Sequence, residues 1–246
     1  MTTSISSPTR RIELAGVHNL RDVGGYRAGA RTTRWGKLFR ADALHELDGE
    51  GQRRLNDLGV GLVVDLRDAT EIEHAPDALD GVECRHVHHP IFDGPTNLGP
   101  AGFNLSALYT MILETHADRL TQAVQMVASE PEGVIVHCTA GKDRTGLVIA
   151  LALSAVGVDD RDIAADYSLS EVMLAGEWAD RMIAKFTQRY PDSDSDITGI
   201  VTSSPAAVIL GSLKAVRENH GDAAGYLRSH GMDIGDLDRL RSTLLD

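Results

Sequence analysis

An apolar run, Val134-Ile135-Val136, passes through His137-Cys138-Thr139-Ala140-Gly141-Lys142-Asp143-Arg144-Thr145-Gly146 into a second apolar run, Leu147-Val148-Ile149-Ala150-Leu151-Ala152-Leu153. The first run reads as a buried strand and the second as a buried helix. The loop between them therefore ends a strand and opens a helix. The first N–H groups of a helix have no intrahelical partner, and the helix dipole adds partial positive charge there. A loop curled onto that end aims a ring of N–H donors at one anion, and the small residues Ala140 and Gly141 let the backbone come close.

The same field favours the ionised form of a thiol beneath it, which makes Cys138 a candidate nucleophile. Arg144 offers a planar, two-pronged donor to the equatorial oxygens of a phosphoryl group, a geometry that Lys does not reproduce. Thr139, Ala140, Gly141 and Lys142 complete the expected phosphate-binding loop. Thr145 places a hydroxyl where it would ease departure of the thiolate, and His137 is expected to orient the loop by bonding to its backbone. A nucleotide-binding loop is excluded: that motif needs Gly where Val136 stands and Ser or Thr where Asp143 stands. The bland alternative is an inert buried cysteine. Cys, Arg, two small residues and a helix at the required offsets stand against it.

At these residues the chain resembles the protein-tyrosine phosphatase superfamily, and within it the bacterial PtpB-type group with its His-Cys-x-Ala-Gly-Lys-Asp-Arg-Thr-Gly loop. Further matches are Asn19-Leu20-Arg21-Asp22-Val23-Gly24-Gly25, Phe39-Arg40-Ala41-Asp42-Ala43-Leu44, Val64-Asp65-Leu66-Arg67, Asp166-Tyr167-Ser168-Leu169-Ser170 and Tyr226-Leu227. The resemblance covers nearly all of residues 12–246. It implies hydrolysis of phosphomonoesters through a cysteinyl-phosphate intermediate, without a cofactor, on phosphotyrosine proteins and with dual or lipid specificity as an extension. A Lys at the place of Lys142 also occurs in the lipid phosphatase of 3-phosphoinositides, but its companion Lys is Thr139 here. Hydrolysis of a phosphoinositide or another small phosphorylated molecule is the second reading. A catalytically dead phosphate-binding module is the third, and the intact Cys138 and Arg144 oppose it.

The leaving phenol, with a pKa of about 10, departs better when a carboxylic acid protonates it, an assistance of roughly 10²–10⁴-fold. Two aspartates compete. Asp93 lies in a Gly/Pro-rich stretch where related phosphatases carry their acid, or it is an ordinary turn residue. Asp143 ranks first, because the resemblance implies an important role for it and because a negative charge inside an anion site needs a reason. It either donates a proton or pairs with Lys142 or Arg144. Asp65 and Arg67 either orient the loop or pair with each other as a structural salt bridge, the latter being favoured. Asn19, Arg21 and Asp22 are expected to brace the loop. His86, His88 and His89 are set aside as metal ligands, because further ligands at typical spacings are not visible.

The net charge of −12 over 246 residues argues against nonspecific nucleic-acid binding. Attraction for an anionic substrate must then be local, from Lys142, Arg144 and the helix end. Two cysteines form no disulfide framework, and no apolar stretch is long enough to cross a membrane. A cytoplasmic location is the expectation, with signal-independent export as an alternative.

Along the chain, Asp48 caps a helix that Gly59 ends. Residues 61–66 and about 82–87 read as strands, and 92–102 as a loop. Asn104 opens a long helix through Val127. Asp159 caps another helix, and Ser204-Pro205 opens one through Arg217. Ala175, Trp178, Ala179, Met182, Ile183 and Phe186 follow helical spacing, either as a helix packed on the core or as part of a helical lid at about 168–200, as the resemblance suggests. Residues 190–202 read as a connector. The fold expected is α/β, with a central, mainly parallel sheet flanked by helices and a helical C-terminal region, in one domain over 1–246.

Overall fold

The computed structural model describes residues 9–92, 104–189 and 197–246. Its strands are β1 (Arg21–Asp22), β2 (Arg27–Ala28), β3 (Arg31–Thr32), β4 (Leu38–Ala41), β5 (Val60–Asp65), β6 (Arg85–His88) and β7 (Gly133–His137). Its helices are α1 (Gly49–Asp57), α2 (Ala69–His74), α3 (Leu105–Thr115), α4 (Ala117–Ser129), α5 (Asp143–Ala155), α6 (Asp160–Met173), α7 (Glu177–Arg189), α8 (Ile197–Thr202), α9 (Ala206–His220), α10 (Ala223–Ser229) and α11 (Ile234–Leu244).

The main sheet runs β1-β4-β7-β5-β6, with β4, β7, β5 and β6 parallel and β1 antiparallel at the edge; β2 and β3 form a separate ribbon. This is the mainly parallel α/β sheet expected. The strand that feeds the loop, β7, lies between β4 and β5, and all five of its residues are buried. A strand covered on both faces has no polar face, hence the unbroken apolar run. Val134 and Val136 enter a large core with α3, α4, α5, α6, α9, α10 and α11, while Ile135 enters a smaller one with Val63, Phe39 and Leu55. Helix α5 is buried nearly all round, so it shows little amphipathic pattern. Register brings Ala41, His137 and Asp65 level at the carboxyl ends of β4, β7 and β5. Residues just beyond these strands therefore meet in one crevice.

Several local expectations hold. Asp48 accepts from Gly51 N at 2.8 Å to cap α1, and Gly59 follows it at φ +68°, where a side chain would be strained. Asn104 and Asp159 cap α3 and α6.

Others are corrected. The long helix from Asn104 is two helices, broken at His116, whose φ of −126° and ψ of 27° leave the helical region. No Gly or Pro marks this break, so periodicity alone runs through it. The strand expected at 82–87 is β6 at Arg85–His88. Pro205 rather than Ser204 occupies the cap of α9, without a side-chain bond, and the helix runs on to His220. Within the expected connector, Ile197–Thr202 is helical as α8, and residues 190–196 lie outside the described ones. Strand β4 was not foreseen, because Arg40 interrupts its apolar pattern while being only 1 % exposed.

Candidate active site

The polypeptide leaves β7 at His137, and Cys138 follows as a free cysteine, 2 % exposed. The loop's shape is set by what takes its carbonyls. Thr139 O accepts from Ala43 N at 3.2 Å, Ala140 O from Asn19 Nδ2 at 2.8 Å, and Gly141 O from Arg40 Nη2 at 2.7 Å. Lys142 O accepts from Gly146 N at 2.9 Å in the first turn of α5. A trans peptide points its N–H opposite to its C=O. Carbonyls drawn outward therefore turn the following N–H groups, those of residues 140–143, toward the inside of the loop. Among the described residues, the N–H groups of 140–145 donate to no protein acceptor outside their own helix. Gly141 makes the curl feasible: its φ is +64°, and a Cβ there would collide with the carbonyl of Ala41.

Behind the loop lies a buried polar network. Asp166 meets Arg21 Nε at 3.0 Å and Arg40 Nη1 at 2.6 Å, and Ser170 Oγ accepts from Arg21 Nη2 at 3.0 Å. Burial alone would raise the Asp166 carboxyl, but the two guanidinium groups hold it down at about 2. Burial, with repulsion from Arg40, lowers Arg21 to about 10 against the pull of Asp166. Asn19 thus contacts the loop directly, and Arg21 acts at one remove through Asp166 and Asn19. Asp22 takes the N–H groups of Gly24 and Gly36, both at 2.7 Å, and so closes a turn rather than touching the loop.

Arg144 is gripped by a residue that sequence reasoning missed. Glu71 accepts from its Nη1 at 2.6 Å and its Nη2 at 2.8 Å, and also takes the Thr139 hydroxyl. Glu71 is itself fixed by a capping box at the start of α2, with Asp68 accepting from Glu71 N at 3.0 Å and Glu71 accepting from Asp68 N at 2.9 Å. The Asp-x-x-Glu spacing of that box was legible; its meeting with Arg144 was not. Against burial, which raises it, the Arg144 bonds and charge bring the Glu71 carboxyl down to about 2. The Phe92 ring flanks the guanidinium, 5.6 Å from its centroid.

Asp143 opens α5 and accepts from the Tyr109 hydroxyl at 2.8 Å; that hydroxyl also meets Tyr167 Oη at 2.7 Å. Burial first, then the charge of Asp143, keeps both phenols above their ordinary pKa, so they remain donors. Lys142 Nζ is 3.7 Å from Asp143. Its hydrogen bonds go to the carbonyls of Ile200 and Ser203, at the end of α8. This departs from the expectation that Lys142 serves anion attraction: the ammonium ties the loop to the helical cover instead. Leu174, Trp178, Ala179 and Val201 form that cover's own apolar cluster, with Ala140 of the loop packed against it.

Two further expectations change. The His137 ring does not bond to the loop backbone; its Nε2 lies 3.1 Å from Asp77 Oδ2. Asp65 and Arg67 pair with each other at 2.7 Å, the structural reading of that pair, and Arg67 also reaches Asp77 at 2.9 Å. The Thr145 hydroxyl is buried and meets no hydrogen-bond partner among the described residues. Asp93 lies outside the described residues.

Comparison with known proteins agrees in direction with this geometry. A model of the tyrosine phosphatase family matches residues 12–246. The chain is 28 % identical to the triple specificity protein phosphatase PtpB of Mycobacterium tuberculosis, over 95 % of this chain and 98 % of that protein. It is 30 % identical to a tyrosine-protein phosphatase of Nostoc commune, over 76 % of this chain and 67 % of that protein. Among solved structures, TpbA of P. aeruginosa aligns over 89 % of this chain and 95 % of its own, at 15 % identity and a TM-score of 0.35, a value too low to bear on the fold.

Proposed function

Starting from the fact that the chain belongs to the tyrosine phosphatase family, we propose that it hydrolyses phosphotyrosine in proteins, with Cys138 as nucleophile. The Cys138 thiolate attacks phosphorus, and the bond from phosphorus to the tyrosyl oxygen breaks. The proton that the leaving oxygen takes comes from Asp143. Water then attacks the cysteinyl phosphate, gives its proton back to Asp143, and inorganic phosphate departs with the thiolate restored. The equatorial oxygens sit against the N–H groups of residues 140–145 and the guanidinium of Arg144, whose donors gain strength as charge develops on those oxygens. Glu71, which also takes the Thr139 hydroxyl, holds Arg144 in place, and the Tyr109 hydroxyl orients Asp143.

The observation that carries this reading is the outward direction of the loop carbonyls, each tied to a separate donor. Lipid phosphates are the second substrate class. The name of the mycobacterial relative, a triple specificity phosphatase, is compatible with a range wider than phosphotyrosine. Lys142 does not favour lipid, since its ammonium is committed to two carbonyls. Initial rates on phosphotyrosine peptide, phosphoserine peptide and phosphoinositide, with Cys138→Ser as control, separate the classes. The expected order places the phosphotyrosine peptide first. A phosphoinositide kcat/KM above that of the peptide would reverse the assignment.

A further inference from the structure

We infer that Asp65, Asp77, His86 and His137 form a binding site for one divalent cation of the zinc class. The three histidines of β6 and its end were set aside as ligands because no partners were visible in sequence. For His86 the fold supplies them from three other places, the end of β5, the segment after α2 and the end of β7, whereas His88 and His89 bond to the carbonyls of Arg67 and Arg119. One donor atom from each of the four residues lies within 4.8 Å of the other three.

Zinc takes nitrogen and oxygen donors at about 2.0–2.2 Å in a tetrahedron, which sets donors roughly 3.3 Å apart. Asp77 Oδ2 is 3.1 Å from His137 Nε2 and 3.4 Å from His86 Nε2, and His137 Nε2 is 3.8 Å from Asp65 Oδ1. A second, independent observation is the state of the buried atoms. His137 Nε2 and Asp77 Oδ2 are fully buried and close, yet neither makes a hydrogen bond of acceptable geometry among the described residues. The lone pairs of these two atoms are therefore free to share a cation; without one, the two side chains stand as an ion pair.

Arg67 supports the arrangement. Its Nη2 takes Asp65 Oδ2 at 2.7 Å and Asp77 Oδ1 at 2.9 Å, so the other oxygen of each carboxylate is turned toward His137. Its N and Nε also reach Asp65 Oδ1, at 3.0 and 2.9 Å, which makes Asp65 the weakest of the four donors. Two carboxylates against one guanidinium leave a single negative charge beside two imidazoles, a donor set suited to zinc rather than to magnesium or calcium. Entry is provided by His86, whose side chain is 37 % exposed while the other three are fully buried. The cation would sit against the residue before Cys138, on the face of β7 that carries Ile135 rather than the face packed on α5.

Zinc chloride and untagged protein test this directly, with no dependence on turnover. Cys84 and Cys138 are first replaced by Ser, so that neither thiol competes for metal. Equilibrium dialysis is expected to give one zinc per chain, and adding His86→Gln or Asp77→Asn should weaken binding by at least about tenfold. Circular dichroism checks that each variant is folded, and His86, being partly exposed, is the substitution least able to disturb the core. Should the double Ser variant not fold, cobalt(II) bound to the single Cys138→Ser variant reports the ligands instead: tetrahedral visible bands without a thiolate charge-transfer band are expected. Absence of zinc binding, binding unchanged by His86→Gln, or a thiolate band would each overturn the inference and leave the cluster as a charge network alone.

Discussion

The phosphate loop is held on two sides by different physics. Behind it, Arg21, Arg40 and Asp166 are all at most 1 % exposed and joined by bonds of 2.6–3.0 Å, and Arg40 and Asn19 carry that order onto the carbonyls of Gly141 and Ala140. In front, the cover rests on a four-residue apolar cluster and on the bonds from Lys142 to the carbonyls of Ile200, within α8, and Ser203, just after it. The rear is an all-or-none device, since removing one charge strands the others in the interior. The front is a small apolar interface that, among the described residues, is tied to the loop by hydrogen bonds from one ammonium, itself 3.7 Å from Asp143. Backbone direction at the loop is therefore fixed from the rear, independently of the cover.

The comparison breaks most sharply at Asp166. Asp166→Asn leaves two buried guanidinium groups without a counter-charge, and urea unfolding should show a loss of about 3–5 kcal/mol. A loss below 1 kcal/mol would mean that the rear network is not what holds the loop.

Next in size is Glu71→Gln, which keeps the shape but removes the charge that grips Arg144. A fall in kcat/KM of about 10²-fold is expected, carried mainly by kcat, with the fold intact. The pair also has an acid signature. The Glu71 carboxyl is depressed in the folded protein to about 2. Its stabilisation is then complete above the ordinary carboxylate pKa of about 4.3 and is lost as pH falls toward 2. Stability of the Glu71→Gln protein should depend less on pH in that window, as read by thermal unfolding between pH 2 and 5.

Tyr109→Phe removes one hydroxyl that donates to Asp143. Loss of a single hydrogen bond to a charged group corresponds to about 1.5–3 kcal/mol at most, so a roughly tenfold fall in kcat is expected, with KM little changed. The smallest effect belongs to the front. Lys142→Met frees the carbonyls of Ile200 and Ser203 while removing a desolvated ammonium, and global stability should move by less than about 1 kcal/mol. Hydrogen exchange should instead quicken in α8 and leave α5 unchanged.

How much of this was legible in sequence varies with the range of the interaction. The strand, loop and helix around Cys138 follow from local pattern, as do the Asp48 cap and Gly59. The rear network does not, because its members lie about 145 residues apart from Arg21 to Asp166. Segments containing them stood out only by resemblance. Arg40 even hid a strand, since a charge in an apolar run reads as a break. Glu71 carried a capping signal that explains α2 but not the grip on Arg144, and Asp77 carried no signal at all. Lys142 shows the converse limit: its place in the loop was evident, while its direction was set by a helix some sixty residues later.

In the proposed reaction the Cys138 thiolate, beneath inward-turned N–H groups, takes the phosphoryl group. Acid quenching during turnover of a phosphotyrosine peptide, followed by peptide mass spectrometry, tests it most directly. One phosphoryl group per chain should appear on the peptide that carries Cys138, and both it and turnover should vanish in Cys138→Ser. A phosphoryl group trapped on another residue, or full turnover by Cys138→Ser, would contradict the account.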